Sequence, residues 1–262
     1  MENRTRIDIA REAFLKRDKE LSKEAHGRDI IKASINHREG HITSFSLPEI
    51  ILGGQDGLVN VLGVILGVAA ASADVRIVIV AGLAATFAES VSMAAVAYTS
   101  KLARADFYQS EYEREKWEIE NEPEGEIEEI RSLYRKYGFE GKQLDDIVEK
   151  ITSNKKVWLE VMMADELKLE PVDRNRALKD GVIVGVSAVV GSFVPLTPFF
   201  FLPIQSASIV AVGFSALILF IVGYYKAKVT FGRNFLRQGM EIMIIGMVSA
   251  FVGYFIGSLF KL

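Results

Sequence analysis

The sequence predicts an all-α membrane protein with five transmembrane helices and a cytosolic helical insert between spans two and three. Two observations predict the helical membrane fold. Of the 34 acidic and 31 basic residues, only Asp56 and Glu89 fall within four long apolar stretches, residues 50–73, 77–100, 181–225 and 242–260. A soluble domain mixes charge along its amphipathic elements, so this segregation points to a bilayer. The basic residues are also lopsided: 29 fall on one side of the predicted spans and two, Arg76 and Lys261, on the other. The net charge of −3 excludes a strongly basic nucleic-acid binder. An isolated secretory signal is excluded as well, because the first apolar run starts only near residue 50.

Residues 1–49 read as a cytosolic amphipathic segment that ends in the juxtamembrane run His37-Arg38-Glu39-Gly40-His41. His26, His37 and His41 fit surface or interfacial positions better than ligand or sensor positions. Crossing about 30 Å of hydrocarbon takes roughly 20 apolar residues. Residues 50–73 and 77–100 therefore give one span each, joined by a short link into an antiparallel hairpin over 50–100. The stretch 181–225 is too long for one span and too short for three. It divides at Pro195, Pro198 and Pro203, since proline lacks a backbone donor and is disfavoured inside a helix. Residues 242–260 give the fifth crossing, so 177–262 hold spans three to five. The lysine and arginine excess places the N-terminus and both cationic links in the cytosol and the C-terminus on the other side.

Residues 101–176 are too long for a simple link and read as a compact cytosolic helical domain. An acidic helix is expected over 104–121, a second opening at Pro123-Glu124, a third after Gly141 and a fourth over 154–169. Ile127, Ile130, Leu133 and Tyr134 recur at helical spacing, as do Leu144, Ile147, Val148 and Ile151. There is no strand pattern and no internal repeat.

Two charges stand where charge is costly. Asp56 lies in span one within Gly53-Gly54-Gln55-Asp56-Gly57, with Asn60 one turn on along the same face. A carboxylate in hydrocarbon costs a few kcal/mol even on lenient scales, so it must face protein, water or an ion. Glu89 lies in span two, with Met93 one turn on. The hairpin can bring Asp56, Asn60, Glu89 and Met93 to one polar seam. The bland reading is that both acids sit near membrane ends or are protonated. The sharper one is a cation pathway, favoured because no lysine or arginine falls in any predicted span to neutralise them.

Ten glutamates lie between Glu111 and Glu129. Most alternate, which scatters them round a helix as a solvated acidic surface. Glu115 with Glu118, and Glu126 with Glu129, are i,i+3 pairs that each share a face, so two helices can present four carboxylates to one cation. Later comes Met162-Met163-Ala164-Asp165-Glu166. Methionine on a helix is usually core filler. Its thioether is also a soft ligand, tolerated by borderline metals such as Fe²⁺ and not sought by Mg²⁺ or Ca²⁺. No Glu-x-x-His pair occurs, so the ligand set of the di-iron oxidases is missing. With no cysteine there are no thiolate ligands either. The pattern favours transient metal binding over redox catalysis, and the chain is not expected to be an enzyme or to carry an organic cofactor.

Asp56-Gly57 in span one, Ser92-Met93-Ala94 in span two, the acidic insert and Met162-Met163-x-x-Glu166 together resemble the vacuolar iron transporter family over residues 50–262. The resemblance implies five spans, a cytosolic metal-binding domain, and a homodimer in the bilayer with the ion path between protomers. It further implies exchange of Fe²⁺ for protons, moving iron out of the cytosol. The family's two Glu-x-x-Glu pairs and its Met-Met-x-x-Glu fall on Glu115, Glu118, Glu126, Glu129, Met162, Met163 and Glu166. Its membrane site falls on Asp56 and Met93. Many members read Ser-Met-Ala-x-Gly-Glu-Tyr in span two, whereas Val96-Ala97-Tyr98 here lacks the glycine and glutamate, and Glu89 is the substitute on offer. Mn²⁺ is the close rival to Fe²⁺ as cargo. A membrane-anchored metal sensor or store is the alternative function. The expected location is a prokaryotic cell membrane, or a vacuolar-type membrane in a eukaryote.

Overall fold

A computed structural model of the chain describes residues 6–27, 30, 46–72, 74–229 and 234–260. Every regular element among them is helical. The order is α1 (Arg6–Lys16), α2 (Lys19–Ala25), α3 (Leu47–Ala71), α4 (Val75–Asn121), α5 (Pro123–Lys136), α6 (Gly141–Thr152), α7 (Lys155–Val161), α8 (Ala177–Leu196), α9 (Ile204–Val229) and α10 (Phe235–Leu259). Five of these, α3, α4, α8, α9 and α10, are long and apolar enough to cross a membrane. The chain divides into two compact units, one of residues 1–94 with 182–262 and one of residues 95–181.

In the first unit α3 is central. Val61, Leu62, Ile65 and Leu66 of α3 form one buried cluster with Val78 of α4, Leu196 of α8, Ala207 and Ala211 of α9 and Ala250 of α10. Small residues let the neighbours reach the α3 backbone. A methyl group on Gly57 would lie 2.3 Å from the Ala188 carbonyl oxygen of α8, and one on Gly257 of α10 would lie 1.9 Å from the Gly67 carbonyl oxygen. The glycines around Asp56 thus serve helix packing against α8. Pro195 is the penultimate residue of α8, where its missing donor affects only the last turn. The break between spans three and four falls at the 3₁₀ turn Thr197–Phe200 and at Pro203, just before α9 begins.

Three boundaries differ from the sequence reading. The separate helices expected over 77–100 and 104–121 are one continuous α4 of 47 residues. No glycine or proline occurs between Leu83 and Asn121 to interrupt it. The last helix begins at Phe235 rather than near 242, and α9 continues past Tyr225 to Val229. Backbone hydrogen bonding carries a helix beyond the end of its apolar run when no breaker stops it.

In the second unit α5, α6 and α7 pack with the polar half of α4. Ile119, Ile130, Leu144, Val148, Ile151, Trp158 and Leu159 form its core, with Met162 and Met163. Gly138, at φ +90°, ends α5, with its own N–H on the Arg135 carbonyl and the Phe139 N–H on that of Tyr134. The fourth expected helix is short. After α7 the chain makes a π turn over Met162–Glu166, with Leu167 N–H donating to the Met162 carbonyl at 3.0 Å. Two ion pairs, Lys101 with the buried Asp180 in the first turn of α8 and Asp106 with Arg174 just before it, tie the first turns of this unit's part of α4 to the start of α8.

Candidate functional site

The acidic helices meet where α4 ends and α5 begins. Glu115 and Glu118 lie one turn apart on α4, and Pro123 at the start of α5 fixes the reversal that brings Glu126 back towards them. One carboxylate oxygen from each of Glu115, Glu118 and Glu126 lies within 4.8 Å of the other two. Glu115 is 2% exposed and Glu126 6%. The Oε2 atom of each is buried without a hydrogen-bond partner, an arrangement that costs free energy unless a proton or a cation compensates it.

The other acids extend the cluster. Glu129 and Glu166 line a single cleft of about 510 Å³ together with Asp165. Burial pushes the Glu129 carboxyl above its usual range, and the charges of Glu166 and Glu118 push it further. Burial also raises the Glu126 carboxyl to about 7, with the charges of Glu115, Glu129 and Glu118 adding to the effect. Burial is the larger cause of both shifts, and repulsion between neighbouring acids adds to it. Met162 and Met163 are 0% and 3% exposed and pack in the cluster of Ile119 and Ile130, the direct chain neighbours of Glu118 and Glu129. The π turn puts both methionines into that core and leaves Glu166 at the cleft.

Sequence reasoning missed one member of this site. Arg114 pairs through Nη2 with Glu115 Oε1 at 2.6 Å, donates from Nε and Nη2 to Glu111 Oε2 at 3.1 and 2.9 Å, and donates from Nη1 to Glu118. The signal was available: Arg114 is i+3 from Glu111 and i−4 from Glu118.

Within the spans, Asp56 and Asn60 of α3 and Glu89, Ser92 and Met93 of α4 line one cavity of about 480 Å³. The small Ala85 and Ala88 leave the room. Glu89 lies against Asp56 and Asn60, and both its carboxylate oxygens are buried without a hydrogen bond. Asp56 and Asn60 are exposed on the face of the single chain. Asp56 also lines a second cavity of about 610 Å³ between α3, α9 and α10, with Gln55 and Lys226. Lys226 belongs to α9 because that helix outlasts its apolar run, and it shares a cavity with Asp56. His26 caps the C-terminus of α2, its Nδ1 2.7 Å from the Ser22 carbonyl oxygen. His37 and His41 lie outside the described residues.

Comparison with known proteins matches this frame. The pattern of the VIT family matches residues 47–258, which takes in α3 to α10 and both acidic sites. The chain is 34% identical over 221 residues to "Vacuolar iron transporter 1" of Oryza sativa subsp. japonica, covering 84% of this chain and 87% of that protein. It is 34% identical over 263 residues to "Vacuolar iron transporter" of Plasmodium falciparum, covering 96% and 95%. With "Vacuolar iron transporter 1" of Arabidopsis thaliana it shares 34% over 217 residues, covering 82% and 86%. Five apolar helices, an acidic cavity between the first two and a match spanning most of the chain lead to one conclusion: this chain belongs to the VIT family.

Proposed function

We propose that the chain is a secondary transporter, not an enzyme, that exports Fe²⁺ from the cytosol in exchange for protons, with Mn²⁺ as a second cargo. The observation that carries this reading is the cavity in which Asp56, Asn60, Glu89 and Met93 converge within two apolar helices. A helix that only anchors has no use for a carboxylate, and one is tolerated in hydrocarbon only at a cost of a few kcal/mol. An ion path needs it, because a carboxylate compensates the charge of a dehydrated cation while the Met93 sulfur favours a borderline metal over a hard one. The names of the vacuolar iron transporters to which the chain is similar support iron as cargo and a vacuolar-type membrane as one location.

Residues 101–176 act as the cytosolic collector. Glu115, Glu118, Glu126, Glu129 and Glu166 supply oxygen ligands and Met162 and Met163 supply sulfur. The ion passes on to Asp56 and Met93. Protonation of Asp56 or Glu89 from the far side then releases it, because a neutral acid loses its Coulomb hold on the cation. Two copies form the working unit. Asp56 and Asn60 are exposed on one chain inside an apolar span, and a second protomer laid on that face removes them from lipid. A membrane-anchored sensor or store would use the acidic cluster alone and leave the intramembrane cavity without a purpose.

Proteoliposomes enclosing an Fe²⁺-sensitive dye test the reading. Uptake driven by a proton gradient is expected in the wild type and lost in Asp56→Ala. Uptake that survives this substitution, or that ignores collapse of the gradient, overturns it.

A further inference from the structure

The acidic cluster already holds a cation, a side chain of the same helix. Arg114 spreads its guanidinium over three carboxylates: Nη2 lies 2.6 Å from Glu115 Oε1, Nη1 contacts Glu118, and Nε and Nη2 both reach Glu111 Oε2 at 3.1 and 2.9 Å. Glu115 and Glu118 are two of the three acids whose oxygens converge within 4.8 Å. Glu111 is outside that convergent set. One oxygen of Glu115 is thus engaged by the arginine while Oε2, with that of Glu126, is buried and unpartnered. The Arg114 side chain is 42% exposed, so it has room to withdraw, and its Nε–Nη2 edge is already seated on Glu111.

We propose that Arg114 is a tethered competitor for the transported ion: it neutralises Glu115 and Glu118 in the empty site, retreats onto Glu111 when a divalent cation enters, and returns to help expel it. This deepens the collector role proposed for the cluster and rests on it. The physical basis is that a guanidinium and a divalent cation cannot share the same two carboxylates, since their charges repel across a few ångströms. An arginine keeps its charge throughout, so the competition does not depend on its protonation. A collector that must surrender its ion gains from such a competitor, because affinity traded away at the cluster becomes faster release.

A purely structural arginine, which only holds repelling acids together, predicts the opposite sign on removal. The test is a Mn²⁺ titration of the full-length protein in detergent, followed by the loss of the free-ion EPR signal. In Arg114→Gln, Mn²⁺ binding is expected to tighten by about tenfold, the equivalent of one charge-assisted pair, and release to slow. Arg114→Lys, which keeps the charge without the fork, should bind close to wild type. Glu111→Gln should weaken binding by removing the retreat, and should have no effect once Arg114→Gln is also present. Weaker or unchanged binding in Arg114→Gln overturns the competitor role. A Glu111→Gln effect that persists in the double variant overturns the retreat. Glu115→Gln separates the two levels: if it leaves Mn²⁺ binding intact, the cluster is no collector and the reading beneath this inference fails.

Discussion

At the scale of single residues, Glu126 makes the cluster sensitive to pH. Its carboxyl is raised to about 7, so between the ordinary carboxylate range and that value the folded chain holds a proton that the unfolded chain does not. Without metal, the stability contributed by Glu126 is therefore full at low pH and is lost as pH rises through the window. An entering cation must displace that proton, so Mn²⁺ affinity at the cluster should rise from about pH 6 to about pH 8 and flatten in Glu126→Gln, as titration at the two pH values would read. Met162 poses a different question, since it is wholly buried and also proposed as a ligand. Met162→Leu keeps its volume and should cost less than about 1.5 kcal/mol of stability, whereas Met162→Ala should cost about 2–5 kcal/mol. If sulfur ligates, Met162→Leu will shift metal preference from Fe²⁺ towards Mn²⁺ while thermal unfolding stays near wild type. An unchanged preference would make the residue core filler.

At the scale of elements, the apolar runs located every span, while helix ends followed rules that hydropathy does not carry. The second span and the acidic helix fused into α4 because no breaker separates them. α9 continues through Lys226 for the same reason, and this side chain lines a cavity with Asp56. Close packing is the other element-level device. Gly67 and Gly257 allow α3 and α10 to touch through their backbones. Gly257→Val must push these helices apart, with an overpacking cost of about 1–3 kcal/mol. Lower thermal stability and loss of transport are expected, with Mn²⁺ binding at the 95–181 cluster retained. Loss of that binding too would show that the two units do not fold independently.

At the scale of the whole molecule, the chain has no cysteine, so a single introduced thiol reports cleanly on topology and assembly. With 29 basic residues on one side of the spans and two on the other, Asp74→Cys should react with impermeant maleimide from outside the cell, and Ser153→Cys only after permeabilisation. The reverse pattern would invert the proposed direction of export. Asn60→Cys should cross-link two chains if the exposed Asp56–Asn60 face is where protomers meet. Failure to cross-link would place the ion path within one chain.

The sequence by itself determined the helical class, the five apolar segments and the identities of the acids and methionines, because hydropathy and i,i+3 spacing are local properties of a helix. Convergence is not local. Whether Glu126 returns to Glu115 depends on the angle between α4 and α5, and whether Lys226 faces the cavity of Asp56 depends on how α9 is rotated against α3. The tertiary structure decided those angles. Through them it decided which buried oxygens converge and are left unpartnered.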